Sequence, residues 1–167
     1  MQQMRRQMYS FSSGRPPVPP FTQESAIRKV RMAEDGWNTR NAEKVVLAYT
    51  GDCAWRNRSV FLRGHEEIVR FLLNKWSIET EYRLIKELFC YNGDRIAVRY
   101  VYEWFHVKQN QWIRSHGNEN WVFNDDGYMK ERHSSINDVL IEPEDRFFHW
   151  PLGPRPEDHP GLSDLGL

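Results

Sequence analysis

Hydrophobic positions recur at helical spacing in the first half of the chain. A stripe of apolar residues follows Thr22 and predicts a long first helix that this threonine caps. The stripe consists of Ala26, Val30, Ala33 and Trp37. Asn41 predicts the cap of a short second helix that runs through Tyr49, and a third helix is predicted over residues 64–77. A short strand, 53–58, is predicted between the last two helices.

From about residue 80 the hydrophobic period changes to two, which indicates β-strands. Four strands are predicted, over residues 80–91, 95–107, 112–123 and 128–137. Asn92-Gly93 is a two-residue hairpin signal, and polar turns separate the later strands. Helices followed by long antiparallel strands are typical of an α+β fold. We therefore expect a curved antiparallel sheet wrapped around the first helix.

The two ends of the chain differ from this central domain, which is predicted over residues 22–137. Residues 1–21 are predicted to be a disordered or extended Pro-rich lead, because proline disfavours helix. A disordered start or an upstream start codon is expected for its first 14 residues. Residues 138–167 are predicted to form an extended Pro/Gly-rich tail. Its aromatic residues Phe147, Phe148 and Trp150 predict packing on the domain or on a dimer mate.

Composition excludes several classes of function. The 23 basic residues balance the 23 acidic ones, which argues against a nucleic-acid partner. No apolar run is long enough to span a membrane. The two cysteines and six histidines show no metal-ligand spacing, and no glycine-rich nucleotide loop is present, so neither a metal nor a cofactor is expected. Isolated cysteines favour a reducing, cytoplasmic location. Seven tryptophans suit the walls of a ligand pocket.

Several stretches resemble the nuclear transport factor 2-like superfamily, which includes ketosteroid isomerases and SnoaL-type polyketide cyclases. They are "WNTRNAEKVVLAYTGDCAWRN", "LRGHEEIVRFL" and "FNDDG". The motifs "RPPVPPFT", "YRLIKEL", "YEW", "GNENW", "SIND" and "HPGLSDLGL" resemble an uncharacterised bacterial and fungal SnoaL-like family. The resemblance implies a cone-shaped α+β fold, a cystatin-like roll, with a cavity between the sheet and the first helix.

The resemblance also implies where catalytic groups would lie. The isomerase general base falls on Asn57, which cannot accept a proton at useful pH, and its oxyanion-hole tyrosine falls near Ala33. The steroid-isomerase reaction is therefore not supported. The second isomerase acid falls near Glu119, within "GNENWVF". Alternation places Glu119 in the cavity with Gly117 and Trp121, and it is the candidate general acid or base.

Strand registers suggest partners for Glu119. A four-residue loop at 124–127 sets it opposite Arg132, and a three-residue loop at 108–110 sets it opposite Arg99, with Glu103 on the same face. A four-residue loop at 108–111 instead sets Glu103 opposite His116. The registers that set Arg132 and Arg99 opposite Glu119 predict a polar wall on this face. The wall either holds the sheet as an ion-pair network or binds a ligand.

Aromatic side chains are expected to form the apolar part of the pocket. The candidate walls are Trp37, Trp55, Trp76, Trp104 and Trp121. Trp104 has two possible places, because with Arg99 and Glu103 pointing inward it lies on the outer face beside Tyr100 and Tyr102.

Two functions fit this pattern. The first is a small-molecule-binding, cofactor-free isomerase, dehydratase or cyclase that uses a pocket carboxylate on a small acid or ketone. The second is a non-catalytic ligand-binding or protein-interaction module of the same fold. A homodimer is expected in either case, because the outer face of the last strands is predicted to be apolar.

Overall fold

A computed structural model describes residues 14–167. The first 13 residues, on which most of the predicted disordered start falls, lie outside the described residues. The helices are α1 (Gln23–Asn38), α2 (Ala42–Val46), α3 (Gly64–Ile78) and α4 (Leu162–Leu165). The strands are β1 (Tyr49–Asn57), β2 (Val60–Arg63), β3 (Glu79–Asn92), β4 (Arg95–His106), β5 (Gln111–Phe123) and β6 (Met129–Ile141). Within the described part of the chain, no helix has the length and apolar character that a membrane crossing requires.

Side-chain caps start the first two helices where the sequence predicts them. Thr22 Oγ1 accepts from the backbone N–H of Ser25 at 3.2 Å, and Ser25 Oγ accepts from the N–H of Thr22 at 2.8 Å. Asn41 Oδ1 accepts from the N–H of Lys44 at 3.0 Å. Helix α2 ends at Val46, before the predicted end, because Tyr49 already pairs with β6.

The six strands form one sheet in the order β2-β1-β6-β5-β4-β3. All neighbours are antiparallel except β1 and β6, which run parallel. The predicted α+β fold, with α1, α2 and α3 on the inner face of a curved sheet, is confirmed. The sequence did not predict β2, a four-residue strand that pairs, among the described strands, only with β1.

Strand registers differ from the predicted ones because the connections are longer. His106 pairs with Gln111, so the β4–β5 connection has four residues, 107–110, instead of three. This one-residue change moves every β4 side chain to the opposite face relative to β5. The β5–β6 connection is also longer by one residue, and a bulge follows it at Phe123. The two shifts together leave Arg132 on the same face of the sheet as Glu119. Its cross-strand partner is Trp121 instead of the predicted Glu119.

The tail covers the outer face of β3 and β4. Phe148, Trp150 and Leu162 pack with Ile85 and Val101 in a second small core. Phe147, the other aromatic residue predicted to pack, remains 41% exposed.

A buried carboxylate fixes the start of the tail. Glu103 is inaccessible to solvent and accepts two hydrogen bonds from the Arg114 side chain, at 3.0 and 2.8 Å. It also accepts from the backbone N–H groups of Phe147 and Phe148 at 3.1 and 3.0 Å. Strands β3 and β4 are therefore buried on both faces over part of their length, as in the middle layer of a three-layer structure.

The outer face of β5 and β6 is polar, which corrects the expectation of an apolar face. Its central positions carry exposed polar side chains. They are His116, Asn118, Asn120, His133, Ser135 and Asn137.

The described part of the Pro-rich lead lies across the other end of the sheet. Lys29 of α1 donates hydrogen bonds to the backbone carbonyls of Arg15, Pro17 and Gly127, at 2.7, 3.0 and 2.7 Å. The N–H of Arg15 also donates to the carbonyl of Asp126 at 2.7 Å. The lead is thus held to α1 and to the β5–β6 connection.

Candidate functional site

Three charged side chains meet on the inner face of the sheet. Lys86 of β3, Glu119 of β5 and Arg132 of β6 form what we call the charged cluster, and the side chains of all three are at most 3% exposed. Lys86 Nζ lies 3.0 Å from Glu119 Oε2, and an Arg132 guanidinium nitrogen donates to Glu119 Oε1. Two further groups complete the network. Trp121 Nε1 donates to Glu119 Oε2 at 2.7 Å, and Asn57 Oδ1 accepts from Arg132 at 3.3 Å.

Each member of the charged cluster reaches this face through strand alternation. Gly117, Glu119 and Trp121 point inward from β5, while the residues between them are exposed. Lys86 follows Tyr82 and Leu84 at a period of two along β3. Arg132 lies opposite Trp121, two residues along β5 from Glu119, and its long side chain reaches the carboxylate diagonally.

Aromatic rings enclose the two cations. The Lys86 ammonium lies 4.3, 5.5 and 5.7 Å from the ring centroids of Tyr100, Trp121 and Trp37, which we call the aromatic cage. The Arg132 guanidinium lies 4.4 Å from the Trp55 ring and 4.8 Å from the Trp37 ring.

Gly117 makes room for the Tyr100 ring. A Cβ atom at position 117 would lie 2.2 Å from Tyr100 Cζ, far inside van der Waals contact. The Tyr100 hydroxyl lies 2.5 Å from Ser134 Oγ, which fixes the ring over Lys86. The glycine that opens "GNENWVF" is therefore a packing requirement of the aromatic cage.

The charged cluster has one positive charge more than its carboxylate can neutralise. Burial raises the pKa of Glu119, but the positive charges of Arg132 and Lys86 outweigh it and hold that pKa at about 2. The pKa of Lys86 is lowered to about 8, chiefly by burial. The negative charge of Glu119 opposes this shift, and the positive charge of Arg132 favours it. Because arginine does not lose its proton, Lys86 is the group that responds to the surplus charge.

The charged cluster lines a small inner cavity, and a second, outer pocket shares the Trp37 and Trp121 side of the site. The inner cavity, of about 10 Å³, has room for about one water molecule. Its walls include Trp37, Asn57, Lys75, Tyr100, Glu119 and Arg132. The outer pocket, of about 40 Å³, lies between α1, α2 and the ends of β5 and β6, and is lined by Met32, Trp37, Val45, Trp121, Phe123 and Met129 among others. Trp37 lines both spaces.

The structure brings most of the predicted site residues together. Glu119, Arg132 and Asn57 are in direct contact, and Trp121 donates to Glu119. The other predicted walls lie in the same aromatic cluster: Trp37 stacks on Trp55 with centroids 5.8 Å apart, and Trp76 meets Trp37 edge-on at 5.8 Å.

The prediction that Arg99 and Glu103 line the pocket is wrong. The longer β4–β5 connection turns both to the outer face, where Arg99 pairs with Glu87 at 2.6 Å and Glu103 pairs with Arg114. The alternative pairing of Glu103 with His116 is also wrong, since His116 lies opposite Val101.

Trp104 points to the inner side of the sheet together with Tyr100 and Tyr102. All three belong to the main core under the helices, so the outer-face placement of these residues is wrong. Trp104 Nε1 donates to Ser115 Oγ at 2.9 Å. Its ring is thus tied to β5 away from the charged cluster.

Lys86 is the central residue that the sequence reasoning missed. Its signal lies in "YRLIKEL", where it follows Tyr82 and Leu84 at a period of two. A lysine on the inner side of a strand is unusual, because a buried ammonium needs a partner. No cluster of three or more metal-ligating side chains occurs among the described residues.

Comparison with known proteins assigns the chain to a family. The model of a family described as "Protein of unknown function (DUF1348)" matches residues 19–149. No curated protein matches the sequence.

Solved structures share the fold at low sequence identity. A putative polyketide cyclase from Silicibacter sp. TM1040 superposes with a TM-score of 0.61 at 13% identity, over 67% of this chain and 88% of that one. A nuclear transport factor 2-like protein of unknown function from Burkholderia pseudomallei gives 0.60 at 19% identity, over 67% and 90%. TerC, co-crystallized with polyporic acid, gives 0.58 at 18% identity, over 67% and 91%. The fold is that of the nuclear transport factor 2-like superfamily, as the sequence resemblance implied.

Proposed function

The chain belongs to the DUF1348 family, a family of unknown function, and we propose that it binds small anionic organic molecules at the charged cluster. The observation that carries this proposal is the surplus positive charge of two buried cations facing one carboxylate. A buried net charge is costly unless a counter-charge accompanies it. A ligand carboxylate or enolate supplies that counter-charge, and the surrounding rings supply apolar contact.

Ligand entry requires the aromatic wall to move. The inner cavity has room for only about one water molecule, so a ligand of several atoms fits only if the inner cavity and the outer pocket join. Trp37 lines both spaces, and its Nε1 donates to the Tyr49 hydroxyl at 3.2 Å. A rotation of the Trp37 ring that joined the two spaces would open a path to Lys86 and Arg132, which line the inner cavity. The ligand class is therefore a small acid or keto acid.

We further propose cofactor-free proton transfer at a carbon acid, the chemistry of isomerisation, dehydration or cyclisation. Glu119, the acid or base expected from the sequence, stays ionised near neutral pH, so it cannot donate a proton there and is a weak base. Lys86 exchanges its proton near pH 8 and suits this role better. Arg132 would hold the developing enolate oxygen.

A calorimetric titration tests the binding proposal. We expect pyruvate to bind the wild-type protein, and Lys86→Met to weaken that binding about tenfold or more, since a charge-assisted hydrogen bond contributes ~1.5–3 kcal/mol. Pyruvamide, which lacks the charge, should bind both proteins alike. Lys108→Met, at an exposed position, is the control and should bind pyruvate as the wild type does. Equal pyruvate affinity in wild type and Lys86→Met refutes the assignment.

Exchange of carbon-bound hydrogen in D₂O, followed by NMR, separates an enzyme from a binder. A catalytic site exchanges the methyl protons of bound pyruvate faster than buffer does, and Lys86→Met abolishes the difference. Binding without exchange supports the second candidate, a non-catalytic ligand-binding module. The small volume of the inner cavity favours this second candidate.

Assembly and location complete the proposal. A homodimer is supported by exposed apolar side chains at one end of the sheet: Val107, Val139 and Leu140. Light scattering at micromolar concentration tests it, and the 20.0 kDa monomer mass would contradict it. A cytoplasmic location is supported by the exposed free thiol of Cys90, and imaging of the tagged full chain tests it.

A further inference from the structure

Lys86 differs from the other two buried lysines in how its ammonium is satisfied. Lys29 donates to three backbone carbonyls. Lys75 donates to the Glu79 carboxylate and to the Tyr102 hydroxyl. Among residues 14–167, Lys86 Nζ has one hydrogen bond, to Glu119, and its other sides face the aromatic cage. Lys29 and Lys75 each have at least two hydrogen-bond partners, whereas Lys86 has one and lines the inner cavity.

From this geometry we propose that Lys86 is an amine nucleophile that forms an imine with a ketone or aldehyde ligand. The proposal rests on the ligand-binding function proposed above and names the group that would react. It requires a nitrogen that reaches the cavity, a neutral amine, and neighbours that stabilise the cationic product.

The first two requirements are met at Lys86. Its side chain is 1% exposed and lines the inner cavity. With a pKa of about 8, about a tenth of Lys86 is neutral at pH 7, against roughly one in several thousand for an ordinary lysine.

The surroundings suit a cationic product. Glu119 and Arg132 face the nitrogen from β5 and β6, and Tyr100 faces it from β4. From α1, Glu34 accepts the backbone N–H of Lys86 at 2.8 Å and fixes the strand at this point. An iminium ion keeps the positive charge that the Glu119 carboxylate and the rings already accommodate.

The chemical step is balanced without an oxidant or reductant. Neutral Nζ attacks the carbonyl carbon, the carbonyl oxygen takes up one proton, and the nitrogen loses one, which gives a carbinolamine. The carbon–oxygen bond then breaks with uptake of a second proton. One water molecule departs, and the product is an iminium ion. The electron-poor iminium makes the neighbouring C–H acidic, which connects the adduct to proton transfer at carbon.

Reductive trapping tests the proposal. The full chain is incubated with pyruvate, acetone or propanal in the presence of cyanoborohydride, and labelled lysines are identified by peptide mass mapping. We expect Lys86 to be labelled about tenfold faster than exposed Lys108 in the same molecule at pH 7, because about a tenth of Lys86 is neutral there and Lys86 lines the inner cavity. Labelling of Lys86 should level off above about pH 8, where its ammonium has lost its proton. A purely structural Lys86 gives the opposite order, because burial protects it from reagent.

The comparison of Lys86 with Lys108 is made within the wild-type protein, so it does not depend on whether Lys86→Met folds. Absence of label at Lys86 with all three probes overturns the imine proposal. If calorimetry without cyanoborohydride still shows that pyruvate binds, the ligand-binding function stands and only the covalent step fails. If pyruvate neither binds nor labels, both proposals fail for this ligand class.

Discussion

Replacing Glu103 by glutamine isolates the contribution of the buried carboxylate that holds the tail. The substitution keeps the shape but removes the charge opposite Arg114, and the new amide N–H₂ group cannot accept from the backbone N–H of Phe148. Breaking a buried ion pair from one side costs ~3–5 kcal/mol, because the remaining charge loses its counter-ion. For a domain of this size, 1 kcal/mol shifts the melting temperature by about 2–4 °C, so we expect Glu103→Gln to lower it by about 6–20 °C.

Scanning calorimetry or circular dichroism measures this shift against a matched control. Glu66→Gln removes the same charge from an ion pair with Arg70, whose side chains are 89% and 72% exposed. Exposed helical pairs contribute only ~0.3–0.5 kcal/mol, so the control should melt within about 2 °C of the wild type. Equal melting temperatures for both variants would show that the Glu103 network does not hold the tail.

Three further changes probe the cage, the tail and the charged cluster. Gly117→Ala forces the Tyr100 ring away and should cost ~1–3 kcal/mol in urea unfolding; an unchanged midpoint would mean the ring has free space. Truncation after Ile141 removes three buried side chains from the second core and should lower the melting temperature by at least about 10 °C, whereas an unaltered melting curve would show a loosely attached tail. Folding lowers the pKa of Lys86 from 10.5 to about 8, so the unfolded chain binds more protons between these values. The unfolding free energy of the wild type should therefore rise relative to Lys86→Met, by up to about 3 kcal/mol, as pH rises from 8 to 10.5, and parallel pH profiles would disprove the shift.

The fold and the inward position of Glu119 were predictable because they depend on local patterns. The change of hydrophobic period near residue 80 places helices before strands. Alternation within one strand, from Gly117 to Trp121, is enough to turn Glu119 inward. Neither inference requires knowledge of how two strands align.

The partners of Glu119 depend on alignment between strands, and there the sequence is ambiguous. One extra residue in the connection 107–110 turned Arg99 and Glu103 to the outer face. Arg132 stayed inside only because a longer connection and a bulge shift its register twice.

The inward position of Lys86 could not be predicted for a different reason. The tail buries the outer face of β3, so Tyr82 to Lys86 are all buried and the strand shows no contrast between its faces. A prediction of which face is inside would have needed the position of the tail, which no local pattern encodes.

The buried Glu103 also constrains the order in which the chain can fold during synthesis. All the donors described for it follow it along the chain, and the last, the N–H of Phe148, comes 45 residues later. At translation rates of about 5–20 residues per second, its carboxylate waits about 2–9 s for that donor. Until then, Ile85 and Val101 on the same face have no cover, so a chain stalled before residue 147 presents an apolar strand pair to chaperones. Completion of the second core therefore cannot precede synthesis of the tail residues that form it.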